Sequence, residues 1–594
     1  MSYDSDKVKA GAQRIDIVQI DLGACLWTFG DSNCGATGEP CVNSWQSCKA
    51  PQNYDETGNV LTVSICTPVR KLPAGFGLIP CLDSVSFDPG DVTPDDGIGK
   101  VGSVTFKASD LPHDDVGIDP YVSQRAVSAL KRGTFWPRLR ARWPYYQGRA
   151  LRWYTGYVYH PFDLANLKCR HYVIENMSGF GGKAGVSIKA KDPLILVDEK
   201  RAIFPRKSTG KLATAMTDVS VHTTLDVTTS EPTEYDLYPF ETVSAVRMKG
   251  EVVQYTGTTI ITGGIRLTGI TRAAPGAYVT EKEAHDIGDD VQKCAWFDDM
   301  SPPEIMGRLL ILGAEADAAW VPYATTWQTL YSFWLGSQNL TRLVCDPEPV
   351  RQQISDILLQ SNCWGLWWDD VAQVFGFEVF RPAALGESVP VIDDGKNIVN
   401  VIINDDTNNV INDCVFWYSQ IDPTKAKDDT TNYRDGENTV DPQSISPVEL
   451  GSTRTKNIFG VWHAATPAAT VQRISERLVT ARGSVPFVVE LELHRKDDAI
   501  ETAGFIDLQT SAAPSIDGTT QIIRMRVVKA DHGGRLVKYT ARQDFISDRF
   551  GLIAPDSMRG TTWATATDEQ RKTYVFIADN NGFYSDGTPG KRIF

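Results

Sequence analysis

Four cysteines, at positions 25, 34, 41 and 48, are the residues of this chain best placed to do chemistry. The spacing Cys25-x8-Cys34-x6-Cys41-x6-Cys48 puts four soft thiolates in one loop, where they can surround a single ion or a cluster. Both Zn²⁺ and [4Fe–4S] accept four Cys ligands. Zinc fingers bring two pairs at CxxC-like spacing, because a tight turn presents both sulfurs to one small ion. Here no pair is that close, and the long arcs suit a larger object with four corners, so an iron–sulfur cluster is preferred. Zinc remains an alternative, as do buried or disulfide-bonded cysteines without metal. Cys66 and Cys81 stand either as substitutes for one ligand or as a pair with each other. Cys169, Cys294, Cys345, Cys363 and Cys414 are scattered and read as small buried apolar residues. An odd total of 11, with an amino end lacking an apolar h-region, points to a reducing compartment.

A second signal lies between Tyr121 and Phe162, a window without a single acid. It holds Arg125, Lys131, Arg132, Arg138, Arg140, Arg142, Arg149 and Arg152, interleaved with Phe135, Trp136, Trp143, Tyr145, Tyr146, Trp153, Tyr154 and Tyr157. Arg that follows a backbone and rings that stack on bases would suit a single-stranded nucleic acid. Against that, the whole chain carries a formal charge of −15, and Arg with aromatics is also the composition of protein interfaces. Core or subunit interface is therefore preferred to nucleic acid.

Other constellations are missing. There is no GxxxxGK[ST], HExxH, GxSxG or GxGxxG. GFGGKAG at 179–185 lacks phosphate-cradling spacing, and the run from Asp91 to Gly97 places its Gly one step late for a calcium loop. The acid pairs Asp114-Asp115 and Asp369-Asp370 read as surface turns rather than as acid–base machinery. No stretch approaches the roughly 18 consecutive apolar residues of a membrane span.

The elements that must position these residues are mostly strands. Alternation predicts strands at 14–21, 60–66, 101–107, 151–160 and 184–190. Helices are predicted after the capping box Ser301-Pro302-Pro303-Glu304, after Asp346-Pro347 and after Thr466-Pro467. The tract 420–456 is read as a long polar loop, and Asp531-His532-Gly533-Gly534 as a hairpin turn. The expected class is mainly β with inserted helices (α+β). The expected division is an N-terminal β domain with the Cys-rich loop over 1–207, a linker or excursion over 208–236 and a small β domain over 237–300. A mixed α/β domain over 301–460 and a C-terminal β domain with a leading helix over 461–594 complete it.

Several segments in order resemble tail-tip or baseplate hub proteins of long-tailed bacteriophages. They are CLWTFGDSNCGATGEPCVNSWQSCKAPQNYD, IPCLDSVSFDPGDVTPDDGIGKVGSVTF, GTFWPRLRARWPYYQGR, LTGITRAAPGAYVTEKEAHDIGDDVQ and the terminal TWATATDEQRKTYVFIADNNGFYSDGTPGKRIF. The chain is similar in kind to the lambda L minor tail protein and to gene-transfer-agent hubs. The resemblance implies a multidomain hub with β-barrel domains and a metal-binding loop, a structural virion protein rather than an enzyme. It implies a homotrimer at the tail tip, assembled in the bacterial cytoplasm. Implied neighbours are the distal tail protein ring, the tail tube, a central fibre or receptor-binding protein and the tape measure protein. Phage DNA would pass through the lumen without specific binding, which a net negative wall favours. The resemblance also implies a [4Fe–4S] cluster, carried onto Cys25, Cys34, Cys41 and Cys48. The competing expectations are a tail-associated cell-wall hydrolase and a receptor- or glycan-binding tail module.

Overall fold

The computed structural model describes residues 13–593 except 74, 93–96, 160, 181–184, 237–243, 274–275, 337, 385, 535, 580–582 and 587–589, together with Tyr3 and Lys7. Most of the calcium-like run after Asp91 and most of the glycine run at 179–185 lie outside the described residues. The chain is mainly β, with several separate sheets and few helices.

The amino-terminal module is a seven-stranded sheet. Its strands are β1 (Gln13–Gly23), β2 (Val60–Cys66), β3 (Leu82–Asp88), β4 (Ser103–Ala108), β5 (Ala150–Val158), β6 (Lys168–Ser178) and β7 (Val186–Lys191), in spatial order β2-β1-β5-β6-β7-β4-β3. Alternation in β1 sends Val18, Ile20 and Leu22 to one face and Ile15 and Ile17 to the other, and all five are buried. The first face joins Val104, Phe106, Leu151, Trp153 and Ile188 in one core drawn from all seven strands. A bridge between Ile65 and Ile79, just ahead of β3, brings the two edges together. The sheet therefore rolls into a nearly closed barrel. Between β4 and β5 sits α1 (Phe135–Arg142), whose Phe135, Trp136 and Leu139 plug the same core.

Residues 208–236, read above as a linker or excursion, pack with the small β module. They supply β8 (Lys211–Leu212) and β9 (Thr224–Thr228), and β9 pairs along its whole length with a strand at Gly264–Thr268. Leu212, Met216, Leu225, Val227 and Tyr235 share a core with Val246, Val253 and Ile265. Thr224 and Thr228 are exposed ends of β9, and most of the other threonines lie in the turns around it. Within this module Glu251 is fully buried and accepts from Arg272 Nε (2.8 Å) and pairs with His285 Nε2 (2.9 Å). Burial alone would lift its carboxyl; Arg272, His285 and the Glu283 amide outweigh that and hold it at about 2.

The central body opens with β10 (Ala295–Met300) and α2 (Pro302–Arg308), followed by α3 (Gln328–Leu335), β11 (Leu340–Val344), α4 (Val350–Gln360) and the hairpin β12 (Cys363–Asp369)/β13 (Val374–Val379). Only half the capping box forms. Ser301 Oγ accepts from the Glu304 amide at 3.4 Å, while the Glu304 carboxylate turns to Arg308 at 2.6 Å. α4 starts at Val350 rather than at Asp346 and buries Val350, Ile354, Ile357 and Leu358.

The predicted loop at 420–456 holds a strand, Tyr433–Val440, which pairs with Asp413–Gln420. The helix at Ala468–Arg482 packs its Val471, Ile474 and Leu478 against that sheet. It thus belongs with residues before 461, and the predicted boundary at 460/461 cuts through one packed unit. The last sheet has six strands and reaches back in the same way. Its edges, Val391–Asp393 and Ile398–Asp405, both come from the preceding segment and flank strands at 487–494, 505–509, 523–531 and 536–543.

Candidate metal centre

The loop carrying the four cysteines is the connection between β1 and β2. These strands pair antiparallel down to Gly23 opposite Val60, so residues 24–59 leave the barrel and return at one point. The base is fastened by Ala24 N–H to Asn59 O (3.3 Å), Asn59 Nδ2 to Cys25 O (2.8 Å) and Leu26 N–H to Asp55 O (2.6 Å). Inside, Cys25 N–H donates to Asn43 O (2.7 Å) and Asn53 Nδ2 to Cys34 O (3.0 Å). Asn43 is held at φ 57, a left-handed conformation that Asn tolerates better than most residues. The apolar content is small. Cys34, Ala36 and Ala50 are the buried members of the loop's own cluster, with Trp27 and Phe29 packed beside them. Trp45 is half exposed.

The four predicted cysteines all lie on this one connection between β1 and β2. Cys25, Cys34 and Cys41 are buried, Cys48 is partly buried, and all four are free thiols. Burial pushes the Cys41 thiol up, the Asn43 contact opposes this, and the sulfurs of Cys48, Cys34 and Cys25 each add to the rise. One sulfur therefore feels the other three. Among the described residues no three Cys, His, Asp or Glu side chains converge tightly enough for a single ion. Four thiols on one loop are by type the donors a polythiolate-bound centre would take.

Cys66 and Cys81 are elsewhere. β2 carries the chain about 20 Å between Val60 and Cys66, away from the loop. There burial pushes the Cys66 thiol up to about 12. The Cys81 thiol is also at about 12, from burial and then from Cys66 beside it. Both are free, Cys66 in the cluster with Ile15 and Ile17 and Cys81 in the core on the other face of the sheet.

The acid-free basic and aromatic stretch turns out to be the frame of this loop. Phe135, Trp136, Trp143 and Trp153 are buried in the barrel core rather than displayed for stacking. Trp143 Nε1 donates to Gly23 O at 2.7 Å, at the root of the loop. Arg125 reaches over the loop and donates to the carbonyls of Cys41 (2.7 Å) and Pro40. Asp119 holds the same guanidinium through Nε at 2.7 Å and Nη2 at 3.0 Å. Phe29 N–H donates to the Tyr121 hydroxyl at 2.6 Å, and Arg149 pairs with Glu56 at 3.0 Å. Arg125, Arg138, Arg142, Arg149 and Arg152 find outside the window the acids it lacks.

The adjacent acid pairs are anchors. Asp115 is buried and binds Arg138 (2.8 Å) and Arg142 (2.7 Å). Burial raises its carboxyl, but His113, Arg142 and Arg138 outweigh that and hold it at about 2. Asp370 accepts from Tyr172 (2.5 Å) and Arg170, tying the barrel to the central hairpin. In each pair one carboxylate neutralises a cation that burial would otherwise strand: Asp115 serves Arg138 and Arg142, and Asp370, in the turn between β12 and β13, serves Arg170.

No family model matches the chain, and no curated protein matches it. Solved structures similar to it include a tail protein from Neisseria meningitidis MC58, at 10% identity and TM-score 0.34, covering 78% of this chain and 92% of that one. A prophage MuSo2 43 kDa tail protein from Shewanella oneidensis gives 8% identity and TM-score 0.34, over 77% and 92%. A chain in the virion of a native gene transfer agent particle gives 12% identity and TM-score 0.27, over 64% and 79%. Scores at this level do not establish a common fold. No helix among the described residues is long and apolar enough to cross a membrane.

Proposed function

We propose that this chain is a structural protein of a phage tail tip, a baseplate hub whose four-cysteine loop holds a [4Fe–4S] cluster. The observation that carries the cluster is the placing of Cys25, Cys34, Cys41 and Cys48 on one loop with almost no apolar core. Four metal–thiolate bonds would supply the order that so small a core cannot. The cluster's role is structural: the donor set is complete with four thiolates and leaves no open position for substrate.

The hub reading is supported by the ordered sequence resemblance across most of the chain. It is also supported by what the buried titratable groups do. Glu251, Asp115, Asp370 and His463 each hold another part of the fold through ion pairs or hydrogen bonds. In this reading three copies form a ring below the distal tail protein ring. The ring joins the tail tube to the central fibre and leaves a lumen for DNA. Protein purified without oxygen should be brown and contain iron and acid-labile sulfide. Zinc in that material, or disulfides among the four cysteines, contradicts the cluster; a clear lysis band on a host peptidoglycan zymogram contradicts the structural role.

A further inference from the structure

Two of the scattered cysteines are not isolated. Cys294 directly precedes β10 and Cys345 directly follows β11. These strands run antiparallel, with Ala295 opposite Val344 and Trp296 opposite Leu343. One step further on the same register sets Cys294 opposite Cys345. Opposed residues of such a ladder have Cα atoms about 4.5–5.5 Å apart, within the span of a disulfide. Both side chains lie in one small cluster with Ala245, Tyr278 and Leu343, and their exposures are 1% and 2%.

The position has a mechanical meaning. Cys294 N–H donates to Ala245 O at 2.9 Å, so the cysteine stands where the small β module joins the central body. Arg247 pairs with Asp346 across the same neck. The chain enters the module at Ser208, whose Oγ accepts from Lys293 N–H at 2.9 Å, and leaves it at Cys294, while Cys345 belongs to the body on the other side.

We propose that Cys294 and Cys345 are a modification site, forming an intramolecular disulfide that staples this neck once the protein meets an oxidant. With a peroxide, one thiol is oxidised to the sulfenic acid and releases one water. The second sulfur then attacks it, the S–S bond forms and a second water leaves. The two sulfurs give up two electrons, the peroxide O–O bond takes them, and both thiol protons end in water. A buried pair reacts with a small neutral oxidant sooner than with a bulky disulfide, and burial, which pushes the Cys345 thiol up, makes the reaction slow.

The test is peptide mapping of the folded full-length chain treated with hydrogen peroxide, then denatured, alkylated and digested with trypsin. Cleavage after Lys293, Arg308, Arg342 and Arg351 releases Cys294 in peptide 294–308 and Cys345 in peptide 343–351. The expected result is these two peptides joined by a bond that dithiothreitol reverses. The oxidised chain should also melt several degrees higher than the oxidised C294A/C345A variant, in which every other cysteine undergoes the same treatment. Recovery of both peptides separately alkylated, or of either joined to a different cysteine, overturns the proposal. The mapping needs only the unmutated chain, so it decides even where the variant fails to fold, and it is indifferent to what the loop at 24–59 binds.

Discussion

Arg125 donates to the Cys41 carbonyl at 2.7 Å while Asp119 grips the other side of the same guanidinium at 2.7 Å. The loop is thus held from outside by a residue remote in sequence, and the clamp is charge-neutral and nearly buried. Arg125→Ala would strand Asp119, whose side chain is almost completely buried, and free two loop carbonyls. A loss of about 3 kcal/mol in unfolding free energy is expected. Chemical denaturation measures it, and limited proteolysis should find the first new cut within residues 24–59. Arg125→Lys should recover little, because an ammonium lacks the fork that reaches both the carbonyls and the carboxylate.

The cysteines should separate into two classes. Cys34→Ser is expected to abolish bound iron in anaerobically purified protein, and Cys66→Ser to leave it unchanged, because β2 removes Cys66 from the loop. Iron and sulfide assays on the two variants, alongside circular dichroism to confirm folding, check this. Equal loss in both would mean that Cys66 is a ligand.

Trp136 joins the barrel core to the clamp. It is fully buried, its Nε1 donates to Ser109 O at 3.1 Å, and it lies on α1, which bears the Arg138 and Arg142 that bind Asp115. Trp136→Ala should cost about 4 kcal/mol, from lost contacts and the cavity left behind. Trp45→Ala, at a half-exposed ring in the loop, should cost well under half as much. Thermal melts of the two variants give the comparison.

Acid should destabilise the protein in two stages. Buried His463 donates from Nε2 to Gln360 O at 2.8 Å and lies 3.0 Å from Thr466 Oγ1 at Nδ1, so it is neutral. Burial, only partly opposed by the Gln360 contact, holds its pKa at about 4 against an ordinary 6.5. The unfolded chain therefore binds the proton first. Stability is complete above pH 6.5 and falls as pH drops toward 4, by at most about 3 kcal/mol from this group. Asp115, Glu251 and Glu501 are each held at about 2, below their ordinary values. Their contribution is present above the ordinary carboxylate range and is lost as pH falls through it toward 2. Urea midpoints between pH 8 and pH 3 should decline from about 6.5 downward, and His463→Gln should flatten the upper part of that decline.

Much of the barrel was legible because one buried face writes alternation into the chain, as in residues 14–21 and 60–66. The strand at Tyr433–Val440 was not, since YRDGENTV has mostly exposed side chains and its place is set by main-chain pairing to Asp413–Gln420. The packing of 208–236 into the small β module was not legible, because its few buried side chains, Leu212, Met216, Leu225, Val227 and Tyr235, are spread among polar turn residues. At the candidate centre, four cysteines close together in one loop could be grouped from sequence. That Arg125 holds the backbone of Pro40 and Cys41 could not, because any residue offers a carbonyl. The Cys294–Cys345 contact depends on strand register, which scattered positions do not encode.

The central claim is a tail-tip hub with an iron–sulfur centre in its first loop, and a reconstruction of the intact tail tip tests it most directly. Three copies of the chain around the lumen, with compact density bridging Cys25, Cys34, Cys41 and Cys48, is the result predicted. Six copies or one, or a chain located away from the tip, contradicts the hub, and four thiols with no density between them contradicts the centre.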